Sequence, residues 1–384
     1  MTKEISDIVK AFKIACHEGR RTALATVVCV EGSSYRMPGA RMLVEDNGAI
    51  TGAISGGCLE GDALRKALQA INQQQNKLVT YNSLEAEDME FGLQLGCNGI
   101  VHIIFEPIDA SLPHNPVAVL ENYLLKRKEA VLVTLFSFKN RTAAQPGTCF
   151  FLNSDISKDK IQDPNLADII RQEANEVLEN RASFLKQYAG YELSAFFEFL
   201  QPPVSLVIVG AGNDAMPLVK MATVLGWQIT IIDGRVTHAN KKRFPNVHKL
   251  IVGKPEDVIG QIAIDSRTVF VLMTHNYNYD QAIVKTLLLT KSKYIGLLGP
   301  KKRWETMHAA LAVQGTIVTD EQNAKVFGPT GLDIGAETPE EIALSILAEI
   351  KTVMAGHQGG SLRLRNARIH SRPSLSVLET NNFF

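Results

Sequence analysis

Val207-Ile208-Val209-Gly210-Ala211-Gly212-Asn213-Asp214-Ala215 joins a short apolar run to two closely spaced glycines, and Asp233 ends the next apolar run 21 residues after Gly212. A strand, then G-x-G-x-x-A, a helix, a second strand and an acid is the order of a dinucleotide-type turn. Gly210 makes the turn, Gly212 admits a pyrophosphate, Ala215 lets the helix pack closely, and Asp233 stands where ribose hydroxyls are held. Around this stretch, strand-length apolar runs at 204–209, 228–232, 249–252, 268–274 and 294–298 alternate with helical spacing. That texture predicts a parallel sheet with helices on both faces. Asp214 places a negative side chain where a phosphate would approach, and Pro217 removes an early N–H, which costs little if the helix starts at Asn213 or Asp214. A closing helix is marked by Thr338-Pro339-Glu340-Glu341, with Thr338 as N-cap, Pro339 at the first helical position and Glu341 completing a capping box.

Upstream, Gln201-Pro202-Pro203 punctuates the chain and sets a boundary near residue 202. Before it, residues 22–30 read as a strand, and 41–45 and 49–54 as a hairpin about Asn47-Gly48, the pair preferred by a type I′ turn. A helix over 59–71 follows, then strands over 77–81 and 100–105. In the less informative stretch 111–200, a strand pair over 130–137 and 147–152 precedes a helix over 166–180. The predicted class is α/β: residues 1–201 form an α+β domain containing an antiparallel hairpin, residues 202–356 a Rossmann-like parallel sheet, and 357–384 an irregular Gly- and Arg-rich tail.

Candidate chemistry concentrates in three places. Ser55-Gly56-Gly57-Cys58 turns sharply from strand to helix, so Cys58 is expected at a helix N-terminus, where the dipole and free N–H groups favour a thiolate. An equally open reading makes the glycines a tight turn and Cys58 a small buried hydrophobe. Gly96-Cys97-Asn98-Gly99 repeats the theme of a cysteine between glycines, and Cys97 alone reads more readily as structural. At the carboxyl edge of the parallel sheet, His275 and the run Gly299-Pro300-Lys301-Lys302-Arg303 follow strands and should share an edge with the Gly210 turn. Three cations at a helix start oppose its dipole, a conflict that a bound phosphate would resolve; a solvated basic helix start is the plain alternative.

The 384 residues suffice for two domains, and 45% apolar with 21% charged residues describes a folded, soluble chain. Forty Lys plus Arg face forty Asp plus Glu, so no bulk field holds nucleic acid or an anionic membrane. The balance is uneven locally: Glu85, Glu87, Asp88 and Glu90 cluster in the first half, while Lys301, Lys302, Arg303 and the tail residues Arg363, Arg365, Arg368 and Arg372 lie in the second. No signal-type apolar segment follows the N-terminus and no apolar stretch reaches the ~18 residues of a membrane span. Cys16, Cys29, Cys58, Cys97 and Cys149 are odd in number and contain no C-x-x-C pair, which argues against a disulfide framework and against a structural zinc site. A reducing cytoplasm is expected. HExxH and G-x-S-x-G elements are absent.

With those residues in hand, the chain resembles the XdhC/CoxI family of xanthine dehydrogenase accessory proteins. The likeness rests on Val30-Glu31-Gly32-Ser33-Ser34 with Pro38-Gly39-Ala40, on Ile54-Ser55-Gly56-Gly57-Cys58-Leu59-Glu60-Gly61, and on Gly96-Cys97-Asn98-Gly99. It continues through residues 207–212, Met273-Thr274-His275 and Gly331-Leu332-Asp333-Ile334-Gly335-Ala336-Glu337. The resemblance implies a chaperone that binds the molybdenum cofactor (molybdopterin), protects it while a cysteine desulfurase supplies the terminal sulfido ligand, and delivers it to a xanthine dehydrogenase-type molybdoenzyme. It implies that Cys58 holds the cofactor through molybdenum or its sulfur ligand. Family members usually carry His after the second glycine of the Rossmann turn, where this chain has Asn213-Asp214. The expected cofactor contacts are Ser55, Gly56, Gly57, Cys58, Cys97, Gly210, Gly212, Asp233, His275, Lys301, Lys302 and Arg303. A homodimer is left open, and neither nucleic acid nor membrane insertion is expected. Two other readings stand beside this one: an NAD(P)-dependent oxidoreductase with His275 as general acid or base, and a non-catalytic scaffold for part of a molybdoenzyme.

Overall fold

Why the first half folds as it does is visible in its longest strand, β1 (Thr22–Gly32), in which nine successive residues are buried. A strand covered on both faces needs no polar alternation. The computed structural model describes residues 2–82 and 99–366 and the backbone of Ser374–Leu375. The chain divides into two compact units, one built on residues up to Pro202 and joined by the tail strand, the other on residues from Pro203. Glu85, Glu87, Asp88, Glu90, Cys97, Arg368 and Arg372 lie outside the described residues.

In the first unit, α1 (Thr2–His17) leads into β1, β2 (Arg41–Glu45), β3 (Ile50–Gly52), α2 (Glu60–Gln73), β4 (Lys77–Asn82) and β5 (Gly99–Ile108). These strands pair antiparallel in the order β3-β2-β1-β5-β4. Next come α3 (Pro116–Leu125), β6 (Ala130–Phe136), β7 (Gly147–Asn153), β8 (Ser157–Asp159), α4 (Pro164–Asn180), β9 (Phe184–Tyr188) and β10 (Leu193–Leu200). They build a second sheet in the order β9-β10-β6-β7-β8, to which the tail strand Ser374–Leu375 adds in parallel beside β9. Ala23, Ala25, Val27, Met42 and Phe105 bury against Ala63, Ala67 and Ile71 of α2. The opposite face of the first sheet packs Val28 and Ile104 against Phe136 and Phe196 of the second. Val131, Val133 and Phe197 then meet Ile170 and Val177 of α4. The layers run helix, sheet, sheet, helix.

Five elements of this unit, α3, β8, β9, β10 and the tail strand Ser374–Leu375 in a tail expected to be irregular, were not anticipated from the sequence, and the hairpin turn differs from the type I′ expectation. Gly48 has φ +89° whereas Asn47 does not adopt positive φ, so only one of the two positions is left-handed. The Gly48 N–H donates to Glu45 O, and the Asn47 side chain accepts from Ala49 N at 2.9 Å, a local bond that supplies the turn instead.

The second unit runs β11 (Ser205–Val209), α5 (Ala215–Val224), β12 (Gln228–Asp233), β13 (Lys249–Val252), α6 (Pro255–Val258), β14 (Thr268–Leu272), α7 (Tyr277–Leu287), β15 (Ile295–Leu297), α8 (Lys301–Val313), α9 (Asp320–Ala324), β16 (Val326–Phe327) and α10 (Pro339–Ala355). Every strand pair is parallel, in the order β13-β12-β11-β14-β15-β16. Leu206, Ile208, Ile229 and Val271 face α5 and α10, while Val207, Val209, Phe270 and Leu272 face α7 and α8. This is the α/β Rossmann-like sheet expected, with the short β16 added at one edge. Its strand order reverses between β11 and β14, and in open parallel sheets ligands lie beyond the carboxyl ends at such a point.

Candidate functional site

In the first unit, the chain leaves Ile54 and turns through Ser55-Gly56-Gly57-Cys58 into α2. Gly57 takes φ +111° with nothing within 4 Å of where a Cβ would stand. The conformation requires glycine, and the side facing away from the backbone is open. Ser55 organises the turn: its Oγ accepts from the N–H groups of Gly57 and Leu59, each at 3.1 Å, and donates to the Glu60 carboxylate. Glu60 Oε1 in turn accepts from Ser55 N at 2.9 Å. Burial works against the Glu60 charge, yet the Ser55 hydroxyl and backbone N–H groups outweigh it and hold the carboxyl below its ordinary range. Cys58 is half-buried, with Sγ 3.8 Å from Ser55 Oγ. Leu59 rather than Cys58 is the N-cap of α2, so Cys58 lies one residue ahead of the cap and two ahead of the helix. Of the cysteines described, Cys29 and Cys149 are buried and Cys16 is exposed; Cys58 alone lies on a glycine turn.

In the second unit, Gly210 adopts φ +120°, and a Cβ there would lie 2.5 Å from Met273 O; β11 and β14 approach too closely for any side chain. α5 starts at Ala215 with Asp214 as N-cap, so Pro217 falls in its first turn and forfeits no helical bond. Asp214 folds back over Gly212, its Oδ1 filling the position that a Cβ on that glycine would take. Its Oδ2 pairs with His275 Nε2 at 3.0 Å. His275 is held at φ +59°, an uncommon conformation for a non-glycine residue.

Asp233 is bound up with the turn itself. Its carboxylate accepts from Ala211 N at 2.8 Å, from Arg235 N and Nε at 2.9 Å each, and from Arg235 Nη2 at 2.8 Å. Burial opposes its charge, but these donors prevail and lower the carboxyl below its usual value. Four bonds use the acceptor capacity of a carboxylate, so Asp233 has none left for ribose hydroxyls while Arg235 is in place. Arg243 crosses the same turn, donating to Ala211 O at 2.8 Å and Asn213 Oδ1 at 2.7 Å.

Of the three cations at the start of α8, Lys301 and Lys302 are exposed. Arg303 reaches buried Asp280 through Nη2 at 2.7 Å, and its Nε is buried without a hydrogen-bond partner. Asp280 also accepts from Thr274 Oγ1 at 2.6 Å; burial nonetheless dominates and raises its carboxyl above the ordinary range. Pro300 is the N-cap of α8 and offers no side-chain acceptor. Gly210, Gly212, Asp233, His275, Lys301, Lys302 and Arg303 thus all stand at or just beyond the carboxyl ends of β11, β12, β14 and β15, while Ser55, Gly56, Gly57 and Cys58 form a turn of the first unit. Sequence reading missed Arg235, Arg243 and Asp280, the partners that tie this edge together. A basic residue two places after Asp233 was the one local signal.

Comparison with known proteins follows the same division. A family model for the XdhC Rossmann domain matches residues 206–350, and one for the XdhC and CoxI family matches residues 15–82. A Bacillus subtilis (strain 168) protein, named as a probable xanthine dehydrogenase subunit, is 30% identical over 332 residues, covering 85% of this chain and 91% of the relative. The "Molybdenum cofactor insertion chaperone PaoD" of Escherichia coli (strain K12) is 22% identical over 353 residues, or 92% and 90% of the two chains. A crystal structure described as a xanthine dehydrogenase from Bacillus halodurans superposes with a TM-score of 0.73 at 28% identity, covering 93% of this chain and 98% of that one.

Proposed function

This chain belongs to the XdhC and CoxI family, and from that premise we propose that it is an accessory protein that binds the molybdenum cofactor, shelters it during sulfuration and inserts it into a xanthine dehydrogenase-type molybdoenzyme. The observation that carries this reading is the Cys58 turn: a half-buried thiol beside the open face of Gly57, on a loop that Ser55 and Glu60 fix from within. A soft thiolate suits molybdenum, and a preorganised loop loses little freedom on binding. In the parallel-sheet unit, the exposed Lys301 and Lys302 at the carboxyl edge of the sheet are proposed to take an anionic group such as a phosphate, while Arg303 is held back by Asp280. Of the acids nearby, Asp233 is countered by Arg235, and Asp214 is hydrogen-bonded to His275. A molybdoenzyme and a cysteine desulfurase are the proposed partners and the cytoplasm the proposed compartment. No helix among the described residues is long and apolar enough to cross a membrane.

The test is to produce the chain alongside cofactor biosynthesis, oxidise the purified protein and measure released pterin fluorescence. Wild type is expected to carry pterin, and Cys58→Ser to lose at least about tenfold with an unchanged melting curve, since removal of one metal-proximal group costs about 10–100-fold. A wild-type preparation without pterin overturns the reading, and an undiminished Cys58→Ser removes Cys58 from it.

A further inference from the structure

Strand β1 breaks its own alternation. Ala23, Ala25 and Val27 point beneath α2, and strict alternation would send Cys29 the same way. Instead the register against β5 shifts: Val27 stands opposite Ile103 and Cys29 opposite the next residue, His102, leaving Val28 as the extra residue of a β-bulge. Val28 and Cys29 therefore both lie on the face turned toward the second sheet of the unit. Glu31, two positions on, shares that face, and His102 is also opposite Thr80 of β4. One bulge thus turns a thiol and a carboxylate, already paired by their spacing along β1, onto the face that carries the imidazole.

We propose that Cys29, Glu31 and His102 bind a divalent cation of the zinc class. Their donor atoms all lie within 4.8 Å of one another, with His102 Nε2 3.0 Å from Glu31 Oε1. Tetrahedral zinc, with bonds of about 2.0–2.3 Å, spaces its ligands roughly 3.3–3.8 Å apart. Closing from one spacing to the other is a matter of side-chain rotation, and Glu31, whose side chain is 52% exposed, is free to make it. The other ring nitrogen of His102 is held by Thr80 Oγ1 at 2.8 Å, and Phe138 stands edge-on to the ring at 4.8 Å. A fixed Nδ1 contact of this kind orients Nε2 toward a metal. Thiolate, carboxylate and neutral imidazole carry two negative charges, which a divalent ion cancels, so the cluster, with Cys29 and His102 buried and Glu31 exposed, is neutral when loaded. The donor set also selects: magnesium and calcium prefer oxygen ligands, whereas sulfur with imidazole suits zinc. Three protein ligands leave the fourth position to water. This site is separate from the Cys58 turn and does not depend on the cofactor reading.

Cobalt(II) added to the chelator-stripped, full-length protein is the probe. One equivalent is expected to give a thiolate-to-cobalt charge-transfer band together with the intense visible bands of a tetrahedral ion. Cys29→Ser should abolish the charge-transfer band, and Cys58→Ser should leave it intact. In zinc competition, Glu31→Gln and Thr80→Val should each weaken binding by about 10–100-fold. Glu31 is exposed, so its variant tests the site even if Cys29→Ser fails to fold. Absence of the band in wild type, its survival in Cys29→Ser, its loss in Cys58→Ser, or unaltered zinc affinity in Glu31→Gln would each overturn the proposal.

Discussion

Glu60 lies two residues beyond Cys58, and its ionisation couples the cysteine turn to pH. The carboxyl is held below its ordinary value of 4.5 by the Ser55 hydroxyl and backbone N–H groups that outweigh its burial. A carboxylate whose folded pKa is depressed contributes stability in full above the unfolded value and loses it as pH falls through the folded one. The difference in melting temperature between wild type and Glu60→Gln should therefore be constant above about pH 5.5 and shrink progressively below about pH 4.5. A difference that persists undiminished at pH 2 would contradict this. At this scale the glycines and Cys58 were legible in the sequence, because turn chemistry is decided by neighbouring residues. The pair of His275 with Asp214 was not, since the two are 61 positions apart and meet only because β11 and β14 are adjacent.

Elements were read well where one local rule governs them. The capping box at the start of α10 forms as the sequence predicts, with Thr338 accepting from Glu341 N and Glu341 from Thr338 N. The Gly210 turn is governed by two constraints, a left-handed-side φ and the close pass of Met273. Gly57 carries only the first. Gly57→Ala should cost about 1–3 kcal/mol of unfolding free energy through backbone strain alone, and Gly210→Ala more, since the Met273–Thr274 backbone just past β14 must also move. Equal losses in chemical denaturation would show that the Met273 contact relaxes freely. The elements missed, β9 and β10 above all, lack a usable period: β10 buries Ser194, Glu198 and its phenylalanines alike, so polar and apolar residues do not alternate across it. The start of α3 was readable in principle, since Asn115 before Pro116 accepts from Ala118 N as an N-cap does.

Across the first unit as a whole, a buried ion pair joins the two sheets. Arg41 of β2 and Glu198 of β10 have side chains each 2% exposed, with Arg41 Nη1 3.1 Å from Glu198 Oε1 and 2.9 Å from Gly39 O. Glu198→Ala strands a buried guanidinium and should cost about 3–5 kcal/mol in urea denaturation, whereas the double change Arg41→Met with Glu198→Leu should recover most of that loss. A single variant as stable as wild type would show that water or another acid compensates. Neither residue was marked by pattern, being 157 positions apart. Apolar runs, glycine turns and caps were enough to establish the parallel sheet, its α/β class and the two glycine-lined turns, because each depends on contacts within a few residues. The groupings Arg41 with Glu198, the Cys29 and Glu31 pair with His102, and Asp280 with Arg303 were decided only in three dimensions. Strand order, register and a single bulge determine which distant side chains meet, and no local spacing encodes them.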